Sequence, residues 1–545
     1  MIEKTDSYDE LYASFRWRIP ETYNLGVDLC DKWVDGSHRT ALIYETTGGE
    51  TREYSFSDLK SWSDRFANAL SAKGIDRGDR IGILLPQCPE TVVAHLAIYK
   101  IGAIAIPLFT QFGTEALEYR LTDAGAKGVI TDGENLPKIL DIKDQLPELT
   151  TIITTEEDPK TFHGFWRLIE QASPQFKPVA TAADDPALII YTSGTTGPPK
   201  GALHGHRVLL GHLPGVELPH NFFPRKDDRF WTPADWAWIG GLIDVLFPSL
   251  HHGVPVVAHR PRKFDPEEAY HFLAKHRIRN VFMPPTGLKL MRQVPNPKRL
   301  GDFNLRSLGS GGETLGEELL EWGKDTFGLT INEFYGQTEA NLLVSNCAEL
   351  MEAKLGSMGR AVPGHTVEVL GEDGSPCKAE TIGEIGVRRP DPVMFLGYWK
   401  NEEATRLKFN GDWCLTGDIA RKDGDGYFWF VGRKDDVIIS SGYRIGPAEI
   451  EDCLIGHPEV AMAAVIGVPN EVRTEVVKAF IVLKDENAGS VPLVKDIQEF
   501  VKTRLAAYEY PREIEFVNEL PMTATGKIMR KVLREQNDRA SDSSL

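Results

Sequence analysis

Helical and extended patterns alternate through three cycles between Ser57 and Thr131, and this alternation limits the fold more than any other feature. Ser57 to Ser71 places Leu59, Trp62, Phe66, Ala69 and Leu70 at three- and four-residue steps, the spacing of an amphipathic helix. Gly74 is suited to end that helix in a left-handed cap. Arg80 to Leu85 (RIGILL) is an apolar strand closed by Pro86. Glu90 to Lys100 returns to a helical pattern, and Ala103 to Leu108 (AIAIPL) to an extended one. The third cycle joins a helix at Ala116 to Ala124 with a strand at Gly128 to Thr131. Such alternation implies βαβ units around a mainly parallel sheet. The strands lack polar alternation, so both faces of that sheet are expected to be covered.

The texture changes after Thr366. Val367 to Leu370, the turn Glu372 to Ser375 and Gly383 to Val387 read as a hairpin. Arg421 to Gly432 repeats the pattern around the turn Asp423 to Gly426. The charged stretch Arg433-Lys-Asp-Asp436 is the expected boundary, dividing the chain into 1–433 and 434–545. Beyond it, helices at Pro447 to Leu454 and Val494 to Ala507 alternate with strands at Val460 to Val468, Val476 to Leu483 and Glu513 to Val517. The fold class is therefore α/β, with a large parallel-sheet domain, a β-rich subdomain and a small α+β domain. The tail from Asp538 is expected to fray.

At 545 residues the chain exceeds one ordinary core, and its formal net charge is −18. An acidic chain is poorly suited to general nucleic-acid binding. The six cysteines form no CxxC spacing and suggest plain thiols in a reducing compartment. The polar, acidic start, Met1 to Asp9, does not read as a signal peptide, and no run of about 18 apolar residues suggests a membrane span. The cytoplasm is the resulting expectation.

One segment carries the strongest chemical signal: Ala187-Leu-Ile-Ile-Tyr-Thr-Ser-Gly-Thr-Thr-Gly-Pro-Pro-Lys-Gly201. An apolar strand runs into a loop holding Thr192, Ser193, Gly194, Thr195, Thr196 and Lys200. Small residues let backbone N–H groups approach a polyanion, hydroxyls donate to its oxygens and the lysine adds positive charge. The spacing is not that of a Walker A loop.

This loop resembles the signature of the adenylate-forming superfamily, and further segments resemble that family's motifs in the same order. They are Gly311-Gly-Glu313, Tyr335-Gly-Gln-Thr-Glu339, Trp413-Cys-Leu-Thr-Gly-Asp418, Gly432-Arg-Lys-Asp-Asp436 with Ser441-Gly-Tyr-Arg-Ile-Gly446, and Pro521-Met-Thr-Ala-Thr-Gly-Lys527. The resemblance spans about residues 50 to 535 and implies an acyl-CoA synthetase using ATP, Mg2+ and coenzyme A. It gives Thr338 and Glu339 the phosphate and Mg2+ roles, chemically apt for a hard cation. Asp418 is implied to hold the ribose, with Arg433 and Arg444 contacting ribose and phosphate. Gly312 and Glu313, with Tyr335, Gly336 and Gln337, are implied to surround the nucleotide. Lys527 resembles the lysine that stabilises charge as a carboxylate attacks the α-phosphorus. In such enzymes the small domain swings about a residue in the position of Lys434 or Asp435, and Gly442 resembles the glycine beside a pantetheine tunnel.

For the acid, the resemblance places Trp236, Gly311 and Gly336 at the acyl pocket. Gly336 stands where acetate-specific relatives carry a walling tryptophan, so a longer chain is expected to fit. A short- to medium-chain monocarboxylate leads. A methylmercaptopropionate, an aryl acid and loading of a carrier protein stay open, as does a nucleotide-binding regulator without catalysis. A homodimer is compatible with the resemblance.

Overall fold

The computed structural model describes residues 1–156, 163–192, 198–259, 264–313, 315–440, 443–470, 474–485, 489–505, 509–523 and 527–542; at 439, 443, 444, 449 and 540–542 the backbone alone is described. The expected alternation folds into a sheet of eight described strands whose centre is parallel. Arg80–Leu84 lies between Ile104–Pro107 and Ala126–Thr131, and Ile104–Pro107 pairs in parallel with Pro186–Thr192. Helix Phe56–Ala72 starts at a capping box in which Ser55 and Asp58 exchange hydrogen bonds. Gly74 takes φ +78° just beyond its end, and Ile75 N–H returns to Leu70 O at 3.1 Å. Helix Pro89–Lys100 is buried at every position except Glu90, so this sheet is covered as its apolar strands require. Lys100 is fully buried there, with Asp31 and Asp64 each 2.7 Å from its ammonium. Burying that charge is tolerable only with such partners.

A second sheet, of nine described strands, carries Asn280–Phe282, Ser307–Gly311 and Asn332–Gln337 in parallel, then turns antiparallel into Ala340–Ser345. Its strands are short and separated by long segments, which the sequence patterns do not display. Val367–Leu370, Gly383–Arg388, Trp413–Lys422 and Phe428–Arg433 form the expected antiparallel subdomain.

The last sheet is built on the hairpin Val460–Asn470 with Thr474–Leu483, joined by Ile438–Ser440, Tyr443–Ile445 and, in parallel, Glu513–Phe516. Helix Val491–Lys502 replaces the longer one expected to Ala507. Helix Arg530–Asp542 enters the tail expected to fray from Asp538, and residues 543–545 lie outside the described residues. Leu533 anchors this helix in the core, and Arg534 reaches Asp436 at 2.5 Å. Among the described residues no helix is long and apolar enough to cross a membrane.

Candidate active site

Strand Pro186–Thr192 and its return strand Lys200–Gly205 form the hairpin that carries the Gly/Thr-rich segment. Ser193, Gly194, Thr195 and Thr196 lie outside the described residues. At the base, Thr192 Oγ1 donates to Lys200 O at 3.4 Å. Gly201 permits the close pairing, since a β-carbon there would stand 2.8 Å from Ile189 Cγ2. The strand Gly397–Tyr398 flanks this hairpin, with Tyr398 opposite Ala202. Lys200 Nζ lies 5.3 Å from the centre of the Tyr398 ring, and the Tyr398 hydroxyl donates to Glu339 Oε1. Motifs about 140 residues apart in the chain are thus joined through a tyrosine that the motif reading did not include.

Thr338 and Glu339 form the tip between Asn332–Gln337 and Ala340–Ser345, where Gln337 pairs with Ala340. Glu339 is buried and its carbonyl accepts from Phe395 N–H at 2.8 Å. No cluster of three His, Cys, Asp or Glu able to hold a metal is found among the described residues. A lone carboxylate beside a hydroxyl suits Mg2+, which keeps waters and takes its other ligands from nucleotide phosphates.

Asp418 is the polar centre of the site. Tyr335 O–H donates to its Oδ2 at 2.6 Å, and Gln337 Nε2 approaches the same oxygen at 3.4 Å. Register opposite Arg433 sets the guanidinium Nε 2.9 Å from Oδ1. That contact is an ion pair without an aligned N–H, because Oδ1 is sealed from solvent and accepts no hydrogen bond. An unspent acceptor on a buried carboxylate fits the paired hydroxyls of a ribose. Burial pushes the Asp418 pKa above the usual carboxylate range although Arg433 pulls it down. Lys408, also absent from the motif reading, donates to Gln337 Oε1 at 2.7 Å and Thr416 O at 3.2 Å.

Lys527 comes from the last domain. Thr523 N–H donates to Lys527 O at 2.8 Å, and Lys527 N–H donates to Thr523 Oγ1 at 3.1 Å. The side chain reaches Gly312, whose β-carbon position would lie 3.7 Å from Cε and 3.9 Å from Nζ. Gly312 has φ +97°, a conformation glycine adopts without strain. Next to it, Glu313 accepts from Thr286 Oγ1 at 3.2 Å. The protein crowded around the ammonium lowers the Lys527 pKa, while Glu313 and Asp418 pull it upward. One flank of the residue stays open to solvent, which limits the size of that shift.

At the expected hinge, Lys434 N–H donates to Gly417 O at 2.8 Å and Lys434 Nζ meets Glu384 Oε2 at 2.9 Å. Asp435 stands 4.0 Å from Arg433 Nε. Arg444 is placed only by its backbone, paired with Ile439, and Gly442 lies outside the described residues.

The acyl-pocket expectations change in form. A β-carbon on Gly336 would stand 2.2 Å from Leu342 N and 2.4 Å from Asn341 Oδ1. That direction is filled by the facing strand, so the glycine serves the hairpin irregularity between Tyr335 and Gln337 rather than replacing a wall. Likewise, a β-carbon on Gly311 would be 2.6 Å from the Phe334 ring. Trp236 is 1% exposed and packs within the main core.

Comparison with known proteins accords with this geometry. Residues 31–399 match the AMP-binding enzyme family, and residues 449–527 match the AMP-binding enzyme C-terminal domain. The acyl-CoA ligase YtcI of Bacillus subtilis is 38% identical, covering 95% of this chain and 97% of the relative. The human mitochondrial acyl-coenzyme A synthetase ACSM4 is 37% identical, over 95% of this chain and 91% of its own. The anthranilate CoA ligase AuaEII, solved with anthranoyl-AMP, superposes with a TM-score of 0.88 at 30% identity, covering 96% of this chain and 99% of that one. The chain belongs to the AMP-binding enzyme family and is an ATP-dependent acyl-CoA ligase that works through an acyl-adenylate.

Proposed function

We propose that this enzyme activates a short- to medium-chain monocarboxylic acid at the cleft between Lys527 and the Gly312–Asp418–Glu339 group. The observation that carries the reading is the Lys527 side chain beside Gly312, in the field of both Glu313 and Asp418. In the first step a carboxylate oxygen bonds to the α-phosphorus of ATP as the bond to pyrophosphate breaks. Lys527 supplies positive charge to the phosphate oxygens where negative charge gathers. Asp418 holds the ribose through its unspent oxygen, kept in place by Tyr335 and Arg433. Thr338 and Glu339 would hold Mg2+, which would neutralise phosphate charge, and Tyr398 fixes the Glu339 carboxylate. Thr192 to Thr196 and Lys200 take the phosphates, with Arg444 assisting. In the second step the coenzyme A sulfur bonds to the acyl carbon and AMP leaves.

We place the domain boundary at 433/434 and the pivot at Lys434 and Asp435. Among the bonds that a rotation there would exchange are Lys434 N–H to Gly417 O and the ion pairs Lys434–Glu384 and Asp435–Arg433. Gly442 would then flank the pantetheine path. An aryl acid is the second reading, favoured by the anthranilate and benzoate ligases among the structural relatives.

The test is ATP–pyrophosphate exchange over C2 to C10 fatty acids, 3-methylmercaptopropionate, benzoate and anthranilate, followed by coenzyme A consumption. A maximum between C4 and C8 supports the proposal. A maximum on the aryl acids, or exchange without use of coenzyme A, overturns it.

A further inference from the structure

A continuous line of contacts leads from the reacting end of the site to a carboxyl that the adenylation chemistry does not use. Gly311, next to the residue beside Lys527, lies against the Phe334 ring. Phe334 and Phe282 rings pack with centroids 5.3 Å apart. Phe282 in turn meets Gly240, whose β-carbon position is 2.8 Å from the Phe282 ring and 3.7 Å from Asp244 Oδ2. Asp244 is 4% exposed and sits in Leu242–Leu246, a π-helical turn that interrupts an otherwise α-helical segment. Such turns re-aim side chains and gather at functional sites. The other face of this carboxyl is held by Asn341, whose Nδ2 donates to Oδ1 at 2.7 Å. Asn341 is two residues beyond Glu339, on the strand leading away from the hairpin tip.

A buried carboxyl near the Phe282 ring, with a single amide donor and no cation facing it among the described residues, is costly to keep charged. Pinning a helix to a strand needs no carboxylate, since an asparagine or leucine would do so more cheaply. The cost is recovered if a bound molecule brings a donor to Oδ2. Burial also drives the Asp244 pKa well upward, which favours the neutral carboxyl until a partner is bound.

We propose that Asp244, positioned by Asn341, is the far-end subsite for the acyl chain, and that the preferred acid carries a hydrogen-bond donor, a hydroxyl or an amine, distal to its carboxylate. This rests on the placement of the acid given above and narrows it from a plain alkyl chain to an apolar chain with a polar terminus. A subsite that satisfies a donor discriminates against the analogue lacking it, because its own buried group is then left unpaired.

The experiment compares hexanoate, 6-hydroxyhexanoate and 6-aminohexanoate, with their four- and five-carbon counterparts, in ATP–pyrophosphate exchange by the wild-type enzyme and the Asp244→Asn and Asp244→Leu variants. Circular dichroism and thermal melts of each variant establish that it is folded. The wild type is expected to favour a donor-bearing acid over the unsubstituted acid of equal length by about 100-fold in kcat/KM. Asp244→Leu should abolish or reverse that ratio, and the shape-preserving Asp244→Asn should reduce it at least about tenfold, most for the amino acid. A wild-type preference for unsubstituted acids, or ratios unmoved in both folded variants while exchange persists, would overturn the subsite and leave the adenylation reading standing. No exchange with any acid would overturn both.

Discussion

Lys527 Nζ stands 3.9 Å from the position that a β-carbon on Gly312 would occupy, just past the end of strand Ser307–Gly311. The small domain thereby delivers its ammonium to the ends of the parallel strands, where open α/β sheets gather their ligands. In the proposed mechanism that ammonium serves adenylation alone.

The lowered pKa of Lys527 gives this step a pH signature. Catalysis needs the protonated form, so exchange should fall on the alkaline side before pH 10.5, the ordinary lysine value. Thioester formation from supplied acyl-adenylate should lack this limb. A pH profile of both half-reactions checks it, and Lys527→Arg should carry the limb beyond the accessible range, since arginine stays charged.

Tyr335→Phe removes the 2.6 Å bond to Asp418 Oδ2. A hydrogen bond to a charged group contributes about 1.5–3 kcal/mol, so the Kd for ATP should rise roughly 10- to 100-fold. Asp418→Ala should cost more, because it also strands Arg433. Calorimetric titration with ATP measures both. Unchanged affinity in either variant would remove Asp418 from the nucleotide site.

Tyr398→Phe tests positioning of the metal-facing carboxylate. Losing the hydroxyl that holds Glu339 Oε1 should raise the Mg2+ concentration for half-maximal exchange about tenfold, with the KM for the acid little changed. A structural role alone would lower the melting temperature without moving the Mg2+ titration.

Glu333 makes stability depend on pH. Burial, with Asp452 nearby, raises its pKa from 4.5 to about 8. The folded protein therefore keeps this carboxyl protonated over a range where the unfolded chain has lost the proton. Its contribution is complete below pH 4.5 and drains away as pH climbs towards 8, on the order of 5 kcal/mol in all. Glu333→Gln should flatten the melting temperature between pH 5 and 8 and be the more stable form above it. Parallel wild-type and variant curves across that range would show that Glu333 does not titrate there.

Much of this was readable where local pattern and final environment agree. The helices starting near Phe56 and Pro89 and the strands at Arg80 and Ala126 carry apolar periodicities that burial later satisfies. The nine-stranded sheet was not legible, because Phe230–Trp231 and Asn280–Phe282 are too short to show a period and owe their form to neighbours. Motif residues such as Asp418 and Lys527 were visible as motifs, yet their meeting is a product of topology. Tyr398, Lys408 and Asp244 gave no local signal, as each matters through a partner distant in the chain: Glu339, Gln337 and Asn341. Gly336 shows the opposite risk. Its place in a motif suggested an open wall, whereas the structure fills the same direction with the backbone of Leu342.

The most direct test of the central claim separates the two half-reactions in Lys527→Ala, using the best acid found for the wild type. Exchange of pyrophosphate into ATP should fall by at least about 100-fold, while conversion of supplied acyl-adenylate and coenzyme A to the thioester stays near the wild-type rate. Equal losses in both half-reactions, or exchange left intact, would contradict the role assigned to this lysine.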